Sequence, residues 1–250
     1  MKKFELTAEF VTNIFGKKLF RIKALVAFGD VEKGELGGFI EKEDNLSHSG
    51  NAWVYGDAQV YGDAWVYGDA CVSGDARVYG DACVSGDARV YGDARVYGDA
   101  RVYGDAQVYG NAWVYGNARV SGDAWVYSDA RVYGNAWVYG DARVYGHARV
   151  YGYTWVSGNA WVSGDARVSG NADFAAVTGF GRYSRTTTFF RCKDKILRVQ
   201  CGCFYGDLAQ FRKIVKKTHG DSKYAKEYLA IADLMELHFS DEEEKQEADE

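Results

Sequence analysis

The chain has 250 residues, with 30 Lys and Arg against 35 Asp and Glu, and a formal net charge of −5. That balance supplies no global basic field for nucleic acid, and no apolar run approaches the ~18 residues of a membrane-spanning helix. Five cysteines form an odd set without a disulfide framework, and proline is absent, which points to a reducing cytoplasm and to elements uninterrupted by a missing N–H.

Residues 1–50 lie outside any repeat. The start, Met1-Lys2-Lys3-Phe4-Glu5, reaches charge at once and lacks the apolar region of a signal peptide. Two strand-like runs follow, 18–22 and 24–28, and Gly34, Gly37 and Gly38 then punctuate a turn before Phe39-Ile40. The segment reads as a β cap, because an uncapped stack of strands leaves an open edge and an apolar end.

Residues 51–172 repeat one word, Val-Tyr-Gly-Asp-Ala-(Arg/Trp). Val occupies every sixth position from Val54 to Val168 without insertion or deletion. A unit this short cannot bury its own apolar face and is stable only when stacked on copies of itself. In extended backbone alternate side chains face opposite ways, so Ala and Val point in while Arg or Trp and Tyr point out. Gly tolerates positive φ and Asp bonds local backbone, so Gly-Asp makes the corner. Three strands of about four residues with two-residue corners make an 18-residue triangular coil. The fold class is therefore all-β, a left-handed parallel β-helix of about 6–7 coils, spanning roughly 32 Å at ~4.8 Å per strand.

Residues 173–239 leave the period. The runs 186–191 and 196–201 read as a hairpin around Lys193-Asp194-Lys195. Leu208, Phe211, Ile214 and Val215 have helical spacing behind an N-capping Asp207. Asp221 is placed to cap a second helix whose apolar set is Tyr224, Tyr228, Leu229, Ile231, Leu234 and Leu237. The result is a small α+β module, ββαα. Residues 240–250 are strongly acidic and read as a disordered, solvating tail.

The word resembles the hexapeptide repeat of left-handed β-helix proteins, with Val54 and Ala58 through Val168 and Ala172 at its aliphatic and small positions. It departs from that pattern after the aliphatic residue, where Tyr or Ser stands and Gly is delayed by one place. The lead-in, Ala27-Phe28-Gly29-Asp30-Val31 through Gly37-Gly38-Phe39-Ile40-Glu41 and Gly50-Asn51-Ala52-Trp53-Val54, resembles YdcK-like hexapeptide-repeat proteins of bacteria and phages. Arg185-Thr186-Thr187-Thr188-Phe189, Cys201-Gly202-Cys203-Phe204 and Thr218-His219-Gly220 resemble a module of phage-type proteins. The resemblance implies testing acyl transfer first, which needs a general-base histidine. His147 is the candidate in the repeat, on a corner without an inserted loop to make a pocket.

Sorting the outward positions by 18 residues gives three faces. One carries Gln59, Arg77, Arg95, Trp113, Arg131, Arg149 and Arg167 beside the ladder Tyr61, Tyr79, Tyr97, Tyr115, Tyr133 and Tyr151, and it is the candidate binding face. The second carries Trp53, Cys71, Arg89, Gln107, Trp125, Arg143 and Trp161; the third carries Trp65, Cys83, Arg101, Arg119, Trp137 and Trp155. All seven Trp then stand on the exterior. Cys71 and Cys83 fall on different faces, which disfavours a disulfide between them.

Two metal readings compete with blander ones. Cys192, Cys201, Cys203 and His219 offer zinc-type donors, against a reading as buried thiols and a helix-ending His. The corner column Asp69, Asp87, Asp105, Asp123 and Asp141 invites a cation, against Arg or backbone partners. No metal or cofactor is assigned. The expectation is a non-enzymatic, cytoplasmic scaffold that self-associates, with a trimer favoured, and that binds an unidentified protein partner, with no membrane or nucleic-acid role. The alternatives are a phage-encoded inhibitor of a host defence system, acting in the host cytoplasm, and an acyltransferase.

Overall fold

The computed structural model describes residues 2–240, and the tail expectation, Ser240 apart, falls outside the described residues. The chain forms two compact units, Met1–Asn171 and a second that begins at Ala172.

The first unit is a parallel β-solenoid of about seven turns. Its rungs run from β4 (Trp53–Val54) to β23 (Arg167–Val168), two or three residues each. They stack in three sheets, and each residue pairs with its counterpart one coil on: Arg77 with Arg95 and Val78 with Val96 on the first face, Arg89 with Gln107 on the second, Arg101 with Arg119 on the third. The three faces are those obtained by sorting at 18 residues. Ladder bonds extend each rung from Ala to Tyr, as in Arg95 N–H to Ala112 O at 2.9 Å and Tyr91 N–H to Val108 O at 3.0 Å. Inward Val and Ala are sealed, most of them at 0 % exposure. Thr154 replaces one Ala, and its hydroxyl is satisfied by donating to Tyr151 O at 2.7 Å.

The cap is larger than the two runs suggest. β1 (Phe4–Thr12) and β2 (Lys18–Ala24) form an antiparallel hairpin, and β3 (Leu36–Ile40) pairs with β2. The predicted strand at 24–28 stops at Ala24. The opposite edge of β3 pairs in parallel with the first rung of the Arg–Tyr face, Phe39 opposite Gln59 and Ile40 opposite Val60. The cap therefore continues that sheet and covers its open edge. Gly37 and Gly38 belong to β3 rather than to a turn. A Cβ at Gly37 would stand 2.5 Å from Val54 O and one at Gly38 2.6 Å from Ala58 O, so only glycine lets the strand lie this close to the first coil. Lys3 closes the end of the stack, its ammonium donating to Ala52 O at 2.8 Å and Gly50 O at 3.3 Å.

The second unit has four antiparallel strands rather than two: β24 (Phe174–Phe180), β25 (Arg185–Arg191), β26 (Leu197–Cys201) and β27 (Phe204–Asp207), in that order. The expected hairpin is β25–β26. Its flanking strands escaped the sequence pattern because one is rich in Ala and Gly and the other has only four residues. Helices α1 (Leu208–His219) and α2 (Lys223–His238) cover Phe189 and Val199 of the sheet. Asp207 caps α1 in a capping box: its carboxylate accepts from Gln210 N at 2.7 Å, and Gln210 Oε1 accepts from Asp207 N at 3.0 Å. Ser222, not Asp221, caps α2 by accepting from Ala225 N. The buried face of α2 is Ala225, Tyr228, Ile231, Ala232 and Met235, so Leu234 and Leu237 are exposed at 56 % and 72 %. No helix among the described residues is long and apolar enough to cross a membrane.

Candidate binding faces of the solenoid

Strict register turns each outward position into a column. On the first face the rings of Tyr61, Tyr79, Tyr97, Tyr115, Tyr133 and Tyr151 stack at 4.9–5.0 Å between centroids, tilted from one another by 1–3°. The strand spacing fixes that distance, which is close to ideal for ring contact. A column of Arg and Trp runs alongside. Trp113 lies between Arg95 and Arg131, whose guanidinium carbons are 5.0 and 4.6 Å from its ring, and the edge of Tyr97 meets it at 6.4 Å. Asp93, Asn111 and Asp129 form the third column and, with Arg95, Trp113 and Arg131, line an open groove of about 430 Å3.

Tyr61 does not belong to the open surface. It is 5 % exposed, packed with Leu19 and Phe39 of the cap and approached by Phe15. Burial pushes its phenol up to about 12, and burial beside Tyr79 and Tyr115 does the same for Tyr97. Trp53 is a second correction: the cap covers it to 0 % exposure, with Phe4 and Phe28 meeting its ring and its indole N–H without a hydrogen-bond partner. Outward-pointing on the rung does not mean exposed where the cap folds over the first coil.

The second face holds a ladder absent from the candidate set. Tyr91, Tyr109, Tyr127 and Tyr145 stack at 4.8–5.0 Å, with Arg143 4.6 Å over Trp125 and 5.2 Å over Trp161. The columns Asp87, Asp105, Asp123, Asp141 and Arg89, Gln107, Trp125, Arg143 line a groove of about 560 Å3 there. Sorting the Tyr position by coil on every face would have found it. The third face lacks such a ladder because its Tyr position alternates Tyr67, Ser85, Tyr103, Ser121, Tyr139. Trp137 instead donates its indole N–H to Ser121 Oγ at 3.1 Å and meets Trp155 edge-on at 6.1 Å.

The other candidates divide between a solenoid corner and the second unit. His147 sits on a corner with its side chain 72 % exposed, and its Nδ1 is 3.9 Å from Asp129 Oδ2. Cys192 is buried beside its hairpin turn, whereas Cys201, which accepts from Thr187 Oγ1 at 3.2 Å, the exposed Cys203 and His219 line one cavity of the second unit. Among the described residues no three His, Cys, Asp or Glu side chains are grouped to hold a metal ion.

Within each ladder the tyrosine rings cover one another, so a flat base or sugar finds a free ring face only at the ladder ends, where Ser73, Ser163 and Ser169 take the Tyr position. What remains is a broad, gently grooved surface of Arg, Trp, Tyr and Asp columns.

Stacked parallel rungs, sealed Val–Ala interior and glycine corners define a β-solenoid repeat protein. Seven segments, residues 58–74, 76–92, 88–104, 94–110, 112–128, 130–144 and 142–158, match the family described as the YdcK β-solenoid repeat. The repeat tract is thus a YdcK-like β-solenoid. No curated protein matches the chain.

Proposed function

We propose that the protein is a scaffold that acts by binding: its solenoid faces associate with further copies of the chain, and its C-terminal unit engages a protein partner. The observation that carries this reading is the pair of uninterrupted tyrosine ladders flanked by Arg–Trp columns. They place the residue types that anchor protein interfaces in register over several coils, beside grooves open to solvent. Single exposed aromatics are ordinary on a protein surface, whereas continuous stripes of them mark contact sites.

Light scattering on the purified chain tests the association. A mass well above the 27.8 kDa monomer, a trimer by preference, is expected, with dissociation on replacing Trp113 and Trp125 by Asp. A strict monomer at high concentration would remove the self-association reading. Calorimetry with acetyl-CoA is expected to be flat. Micromolar binding abolished by His147→Ala would replace the scaffold reading with acyl transfer.

A further inference from the structure

We propose that the cavity in the C-terminal unit is the docking site for an acidic peptide segment of a partner protein, anchored by one aromatic side chain. This rests on the partner-binding reading above and gives that partner its chemistry.

The floor of the cavity is apolar, built by Phe204, Phe211 and Val215, and its volume is about 210 Å3. Sites for small molecules usually run from ~300 to 1,000 Å3. This one is sized for a single buried side chain of the kind that anchors a protein interface. An entering ring would join the rings of Phe204, Phe211 and Tyr228 that line the cavity. Phe211 stands 5.8 Å from Tyr228 at 84° and 5.6 Å from Phe204 at 47°, the geometry that favours a further aromatic over an aliphatic residue. Tyr228 holds its phenol proton, pushed up to about 12 by burial and by the neighbouring Cys201, so it faces the cavity as a neutral group.

The mouth supplies the charge preference. Arg182 and Arg185 both lie over Tyr183, their guanidinium carbons 5.5 and 4.8 Å from its ring, and all three residues are exposed. Among the described residues neither arginine makes an ion pair. The nearby carboxylate, Glu227, is engaged by Gly181 N–H at 2.9 Å and by Lys223 at 3.5 Å. Two guanidiniums without an ion pair among the described residues, beside an apolar hole, match an anchor flanked by Asp or Glu, because planar guanidinium takes carboxylate in two-pronged geometry.

Fluorescence anisotropy with the full chain and the labelled pentapeptide Glu-Glu-Phe-Glu-Glu tests the assignment. Saturable binding is expected, weakened about tenfold or more when Phe is replaced by Ala, when Glu is replaced by Lys, or when the chain carries Arg185→Glu. Arg185 is exposed, so circular dichroism of that variant should match the parent; Tyr183→Ala is the second surface variant and should also weaken binding. Equal binding of the Ala peptide, or no saturable binding, would overturn the proposal. Phenyl phosphate binding more tightly than the peptide would also overturn it, in favour of a small anionic ligand. These outcomes are independent of the light-scattering result: an oligomer that ignores the peptide leaves the scaffold reading standing, and a monomer that binds the peptide leaves the docking site standing.

Discussion

Ser128 is the one residue that replaces glycine at the solenoid corners, and its φ is 60° where the glycines have about the same positive value. An L-residue in that region carries a cost of roughly 1–2 kcal/mol, partly offset by the greater unfolded-state freedom of glycine. Ser128→Gly should therefore raise stability by about 0.5–1 kcal/mol, read as a higher urea midpoint. Gly98→Ala should lower it by more than that gain, because the new Cβ would stand 3.0 Å from the backbone N of Gly116 as well as at φ 70°. Lys3 has a different signature. It is 3 % exposed, and burial pushes its ammonium down to about 8 against the opposing pull of Asp69. Between that value and the ordinary lysine pKa of about 10.4 the unfolded chain holds a proton that the folded chain has lost. Stability then rises with pH across this window, and Lys3→Met should flatten that slope in denaturation series from pH 8 to 10. None of this was legible in the repeat word. Corner strain depends on a φ angle, and the Lys3 shift depends on which end of the stack the N-terminus covers.

At the scale of elements, the tyrosine ladders make the opposite alkaline prediction. Burial raises the phenol pKa values of Tyr61 and Tyr97 to about 12, and the same cause raises those of Tyr109, Tyr127 and Tyr133. The folded state keeps these protons when the unfolded state begins to lose them near pH ~10. Their contribution is complete below that pH and is lost as pH rises through the raised folded-state values, about 12 for Tyr61 and Tyr97. Tyrosinate absorbance should appear late and together with the loss of β-sheet circular dichroism. A normal titration near 10 without unfolding would mean that the rings are free of one another. The ladder on the first face was readable from periodicity, since strict spacing forces stacking. The helices of the second unit were readable as elements but less so in their facing. Leu234 and Leu237 fit an apolar stripe by residue type, yet the face of Ala225, Tyr228, Ile231, Ala232 and Met235 packs down, and both leucines lie off that face.

For the whole molecule, the cap decides which end of the stack is protected. β3 satisfies the first rung of the Arg–Tyr face, Asn45 Nδ2 donates to Gly62 O and Ala64 O, and Ser47 N–H donates to Val66 O above the third face. Deleting residues 2–50 would open these acceptors and uncover Trp53 and Tyr61, a template for further strands. The truncated chain should associate in a concentration-dependent manner and bind an amyloid dye, whereas the full chain should not. Soluble, dye-negative behaviour of the truncated protein would show that the cap is dispensable. The repeat alone determined the parallel stack, its three faces and the inward Val and Ala columns from Val54 to Val168, because a side chain alternating on a stacked rung of constant length has no other place to go. The tertiary structure decided what periodicity does not encode: that Trp53 and Tyr61 are covered, that the second unit has four strands, and that Arg182 and Arg185 frame an apolar cavity. These features arise from contacts between segments that share no repeat, where packing rather than register sets the outcome.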